Sequence, residues 1–158
     1  EQQLADGRWL RAQDHLTPDG GRVGLRVDIT REKEQQKALE EITAMCAAER
    51  KKPVLLQGVT GSGKTEVYLQ AVSQIVKSGK SALIMVPEIS LTPQTVQRFK
   101  SRFAELPSSV AVLHSLLSDG ERFDEWHAIR SGKARIVIGP RSAVVAPLLN
   151  LGLVIGAE

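Results

Sequence analysis

From residue 53 onward, short runs of consecutive apolar residues alternate with longer stretches whose apolar positions recur every three or four residues. The runs Val54–Leu56, Ala82–Val86, Val110–Leu113, Arg135–Ile138 and Leu151–Ile155 read as strands. Between them Lys64–Lys77, Thr92–Phe103 and Gly120–Arg130 read as helices. The first carries Val67, Leu69, Val72, Ile75 and Val76 on one side and stops at Ser78-Gly79. Strands that are apolar throughout, rather than alternating, imply burial on both faces, the property of a parallel sheet covered by helices. The pattern therefore predicts a three-layer α/β domain.

The first 50 residues follow a different pattern. Trp9 and Leu10 flank one strand, Pro18-Asp19-Gly20-Gly21 turns the chain, and Val23, Leu25 and Val27 alternate on a return strand, which predicts a β-hairpin. Thr30–Arg50 is rich in Glu, Lys, Gln and Ala, with Ala38, Leu39, Ile42 and Met45 at helical spacing, and Thr30 with Lys33 forms an incomplete capping box. Pro53 ends that helix. The division expected is a hairpin appendage over residues 1–30 and a nucleotide-binding lobe over 31–158. Two strands cannot enclose a pocket, so the hairpin is expected to be loosely attached.

At 158 residues, 42% of them apolar and 25% charged, the chain can bury one core and has no room for two enzymatic domains. No stretch reaches the roughly 18 apolar residues of a membrane span, and the opening residues lack secretory character, so the expectation is a cytoplasmic protein. Cys46 is the single cysteine, which excludes an internal disulfide and a zinc-holding thiolate cluster and leaves Cys46 as a small helical hydrophobe. Residues 1–50 hold 8 Lys/Arg against 10 Asp/Glu, whereas residues 51–158 hold 13 against 8. The basic surplus thus lies with the lobe, where it permits contact with a polyanion.

The chemistry is concentrated in Gly58-Val59-Thr60-Gly61-Ser62-Gly63-Lys64-Thr65, a complete phosphate-binding loop between an apolar run and a helix. Glycines at 58, 61 and 63 let backbone amides curl around phosphate oxygens at a positive helix N-terminus. Thr60, Ser62 and Glu66 complete the expected nucleotide contacts. Lys64 is expected to reach the β and γ phosphates of ATP, and the Thr65 hydroxyl to ligate Mg²⁺. On the residues alone Thr92 is either an ordinary N-cap or a phosphate ligand. Arg141 is likewise a solvated loop cation or a phosphate partner. His114 has no nucleophile beside it in the sequence and is assigned no chemistry.

From Pro53 onward, about two-thirds of the chain resembles the first motor lobe of the superfamily 2 DNA helicases, in particular the replication-restart helicases. The resemblance rests on four ordered blocks: Pro53 to Tyr68, Met85-Val86-Pro87-Glu88-Ile89-Ser90-Leu91-Thr92-Pro93-Gln94, Leu113-His114-Ser115 with Glu121-Arg122 and Trp126, and Ile136 to Ala143. It implies a RecA-like P-loop NTPase lobe of a 3′-to-5′ helicase that assembles primosomes at single-stranded or forked DNA with other replication-restart proteins. Pro87, Thr92, Arg141 and Ser142 become the expected DNA contacts, each just after the carboxyl end of an expected strand. In related helicases a glutamine upstream of the loop reads adenine, and Glu34-Gln35-Gln36 resembles that segment. Gln35 is then an adenine reader, or an exposed helical glutamine.

The resemblance also implies an Asp-Glu-Glu-His motif after the last strand, yet Ala157 stands where its first Asp belongs and Glu158 where the catalytic glutamate does. Phosphoanhydride hydrolysis needs a carboxylate to hold Mg²⁺ through its water shell. The expectation is therefore nucleotide binding with little hydrolysis and no unwinding by this polypeptide alone. Residues 6–11 and 17–30 resemble the closing hairpin of a PAS sensor domain, with a junction near residues 28–35. A non-hydrolysing nucleotide- and DNA-binding module, or a sensor-linked signalling fragment, are the alternatives. A small-molecule kinase has no lid arginines or acceptor site to support it.

Overall fold

The computed structural model describes residues 1–16, 18, 22–48, 53–58, 61–106 and 109–157. The amino-terminal part is a small antiparallel sheet of β1 (Gln2–Gln3), β2 (Trp9–Leu16) and β3 (Arg22–Asp28), followed by α1 (Thr30–Ala47). The lobe proper consists of α2 (Lys64–Lys77), β4 (Ser81–Met85), α3 (Pro93–Arg102), β5 (Ser109–Val112), α4 (Asp119–Arg130), β6 (Ala134–Gly139) and β7 (Leu151–Gly156). Short 3₁₀ turns, Glu88–Ser90 and Arg141–Val145, follow β4 and β6.

The lobe's strands form a four-stranded sheet in the order β5-β6-β4-β7, parallel throughout. Its register places Ala82 beside Ile136 and Ile84 beside Ile138, with Leu83 beside Val137 on the opposite face. The first set packs with Val72 and Val76 of α2 and with Phe99 and Phe103 at α3. The second packs with Ala111, Ala143 and Ile129 of α4. Both faces of β4 and β6 are therefore covered, which is why their sequences are apolar throughout. The three-layer α/β lobe expected from the pattern is what forms. Each large side chain so enclosed contributes about 1.5–3 kcal/mol relative to exposure.

Helix ends follow local chemistry. Thr92 caps α3, its Oγ1 accepting from the Thr95 amide at 3.2 Å, with Pro93 in the first turn. Ser118 and Glu121 form a reciprocal capping box on α4, of which Ser-x-x-Glu is the sequence signature. The expected box at Thr30 and Lys33 does not form. Ile29 holds the cap position of α1, and Asp28 Oδ1 accepts from the Thr30 amide at 3.0 Å.

Two further expectations are corrected. Residues 53–58 are irregular rather than a buried strand, and Leu55 is 87% exposed. A strand exists only with a ladder partner, and among the described residues β7 pairs with β4 alone. The amino-terminal hairpin, whose turn residues Thr17 and Asp19–Gly21 lie outside the described set, gains a third strand and is tied to α1 by several hydrogen bonds.

Candidate functional site

The phosphate loop takes its shape from two left-handed glycines, Gly61 (φ 80°) and Gly63 (φ 87°), a conformation in which a side chain is strained. Gly63 occupies the N-cap of α2 and offers no side-chain cap, so the first turn of the helix presents its backbone amides to the loop. The Lys64 ammonium donates to the Gly58 carbonyl across the loop. Ser62 Oγ is buried and finds no hydrogen-bond partner among the described residues. A methyl at Gly58 would stand 2.6 Å from that same oxygen. An orphaned hydroxyl beside curled backbone and a helix N-terminus is the environment a phosphate satisfies, so the residues present fit a nucleotide. Val59 and Thr60 lie outside the described residues.

Two side chains of α1 reach the loop from behind. Gln35 Nε2 donates to the Ser62 carbonyl at 3.0 Å, and Arg31 donates to the carbonyls of both Gly61 and Ser62. No sequence pattern marks Arg31, because a lone cation at a helix start has none of its own. Glu66 turns the other way. It forms an ion pair with Arg102 at the end of α3 at 2.5 Å and accepts from Gln70 Nε2 at 2.8 Å.

A cleft of about 1360 Å³ opens beside the loop. It brings Gly58, Lys64 and Thr65 together with Pro87 and Glu88 after β4, Arg141 and Ser142 after β6, and Ala157 after β7. Thr92 lies outside its lining. The Ala157 amide donates to Met85 O at 2.8 Å, which holds that residue at the end of the sheet. Glu158, its neighbour, is outside the described residues. Glu88 Oε1 accepts from the Ser115 amide at 3.3 Å, and hydrogen bonding from Ser115 holds this carboxyl below its ordinary range. That bond ties the turn after β4 to the loop after β5. The turn after β6 is fixed by packing, since a methyl at Gly139 would stand 2.7 Å from Ala143 Cβ and 2.8 Å from the Leu113 carbonyl.

A parallel sheet whose carboxyl-terminal loops gather around a glycine-rich loop defines a RecA-like lobe of the P-loop NTPase class. Residues 32–155 match the DEAD/DEAH box helicase family, and the chain belongs to that family. It is similar to the replication restart protein PriA of Bacillus subtilis, with 52% identity over 122 residues, which are 77% of this chain and 15% of that protein. It is 57% identical over 101 residues to PriA of Haemophilus influenzae, covering 64% of this chain and 13% of that one. Among solved structures, RecG bound to a three-way DNA junction superposes with a TM-score of 0.70 at 31% identity, covering 77% of this chain and 17% of RecG. The chain thus spans less than a fifth of the length of these relatives. No helix among the described residues is long and apolar enough to cross a membrane.

Proposed function

We propose that the lobe binds ATP with Mg²⁺ and couples it to a DNA strand in a cytoplasmic protein that restarts replication at single-stranded or forked DNA. The observation that carries this reading is the phosphate loop: two left-handed glycines, a bare N-cap on α2 and a buried Ser62 hydroxyl with no partner among the described residues. Lys64 would neutralise the β and γ phosphates, and the Thr65 hydroxyl would ligate the metal, which supplies charge compensation at the phosphates. Gly58, Thr60, Gly61, Ser62 and Gly63 contribute the cradle. Gln35 would read adenine only by giving up its hydrogen bond to the Ser62 carbonyl, and Glu66, in the first turn of α2, is braced by Arg102 of α3. Pro87, Thr92, Arg141 and Ser142 would meet the phosphodiester backbone at the carboxyl end of the sheet, where the relative solved with a DNA junction shares this fold.

A second reading is favoured by Ala157, a methyl-bearing residue that lines the same cleft as Lys64 and Thr65 where the helicase resemblance implies a carboxylate. Without a carboxylate at 157 the metal's water shell loses the acceptor that the helicase resemblance implies, and Glu158, the acid the resemblance assigns to the attacking water, lies outside the described residues. The lobe then holds ATP with slow turnover. Thermal unfolding with and without Mg-ATP tests the binding. At about 100 times Kd, ligand stabilises the native state by about 2.7 kcal/mol, so the wild-type midpoint rises while Lys64→Ala stays put. Equal shifts in both proteins would refute the reading.

A further inference from the structure

α1 leaves the amino-terminal sheet at a defined joint. The Trp9 amide on β2 donates to Thr30 Oγ1 at 2.9 Å, and the Thr30 hydroxyl in turn donates to Asp28 Oδ1 at 2.6 Å. The Ile29 amide donates to the Trp9 carbonyl at 2.9 Å, and the Ile29 side chain is buried. One turn on, Lys33 pairs with Glu1 at 2.6 Å and lies 5.2 Å from the centre of the Trp9 ring. The start of α1 cannot swivel against the sheet without breaking several of these bonds.

Arg31 is the next residue after that joint. Its Nε donates to the Ser62 carbonyl at 3.2 Å, and its terminal nitrogen donates to the Gly61 carbonyl. Gln35, one turn along the same face, donates to Ser62 O. A methyl at Gly63 would stand 2.0 Å from Gln35 Nε2 and 3.2 Å from an Arg31 nitrogen, so both side chains lie directly on the loop backbone. In a trans peptide the carbonyl and the following amide point in opposite directions. Holding the Gly61 and Ser62 carbonyls toward α1 therefore aims the Ser62 and Gly63 amides away from it. Those amides are the donors a phosphate needs, and a cation on the carbonyl side polarises them further.

We propose that Arg31 is a positioning residue for the phosphate loop, and that through it the three-stranded sheet sets the nucleotide affinity of the lobe. This rests on the nucleotide-binding reading above. Arg31 touches the loop from the side opposite its amides and so preorganises the loop without contacting the ligand.

The test is a titration of the full chain with a fluorescent ATP analogue and Mg²⁺, beside amide hydrogen exchange of the ligand-free proteins. Arg31→Ala raises Kd about tenfold, the scale of a lost charge-assisted hydrogen bond. Arg31→Lys, which keeps a cationic donor, recovers part of it. Thr30→Val touches no loop atom yet raises Kd by about threefold, because a loop that is competent only part of the time binds in proportion to that fraction. In both Arg31→Ala and Thr30→Val the Ser62–Thr65 amides exchange faster while β4 and β6 keep wild-type protection, a pattern general destabilisation does not produce. An Arg31→Ala protein within twofold of wild-type affinity, or exchange that quickens through the whole sheet, overturns the proposal. A wild-type chain that binds no nucleotide removes the reading it rests on, and the exchange comparison then decides Arg31 by itself, unchanged loop exchange counting against it.

Discussion

The Ala157 amide donates to the Met85 carbonyl at 2.8 Å, which anchors a methyl group at the rim of the cleft that holds Lys64 and Thr65. Met85 ends the central strand, and Ala157, packed against the core at that end of the sheet, lines the same cleft as Lys64 and Thr65. On the proposed ATP–Mg²⁺ reading, replacing Ala157 with Asp supplies an acceptor for the water shell of the metal. We expect Ala157→Asp to tighten ATP about tenfold in Mg²⁺, the scale of one charge-assisted hydrogen bond. In EDTA the same change should weaken ATP, since the new carboxylate then only repels phosphate. Calorimetric titration in the two buffers checks the sign reversal.

Gly139 ends β6 where the next turn folds back on it. An added methyl would meet Ala143 Cβ at 2.7 Å and the Leu113 carbonyl at 2.8 Å, and the second of these is backbone that cannot rotate away. Gly139→Ala should cost about 1–3 kcal/mol by overpacking. Adding Ala143→Gly removes one of the two clashes and should recover only part of that loss. Denaturant melts of the single and double variants measure both.

Arg141 stands at the start of the turn after β6, exposed on the cleft wall. If it pairs with a DNA phosphate, Arg141→Ala weakens single-stranded DNA binding equally for all sequences and lowers the slope of log K against log salt by about 1. Fluorescence anisotropy at several salt concentrations reads both quantities. An unchanged slope would make Arg141 a solvated cation.

Glu1 is held at about 2, against an ordinary 4.5, first by its hydrogen bond from Lys33 and then by that from Arg11. A depressed carboxyl pKa contributes stability that is present above 4.5 and lost as the pH falls toward 2. Glu1→Gln should therefore loosen the amino-terminal sheet from α1 at neutral pH, and its difference from wild type should close between pH 4.5 and 2. Trp9 fluorescence in a Trp126→Phe background follows the docking, because Lys33 sits over the Trp9 ring. A difference that stays constant across that range would exclude the ion pair as its cause.

Periodicity by itself determined the parallel α/β lobe and the span Lys64–Lys77 of the loop helix, because each is encoded by residues a few positions apart, whereas the Thr92 cap, left open in one dimension, was decided by the structure. A run buried on both faces and a glycine that needs a left-handed turn leave their marks locally. Tertiary structure decided the rest. Val54–Leu56 is as apolar as a strand yet lies outside the sheet, since a strand is defined by the neighbour it bonds to. Glu66 turned to Arg102, 36 residues away, and Arg31 came onto the Gly61 and Ser62 carbonyls, some 30 residues on. Such pairings depend on how α1, α2 and α3 pack together, and no spacing in one dimension specifies that packing.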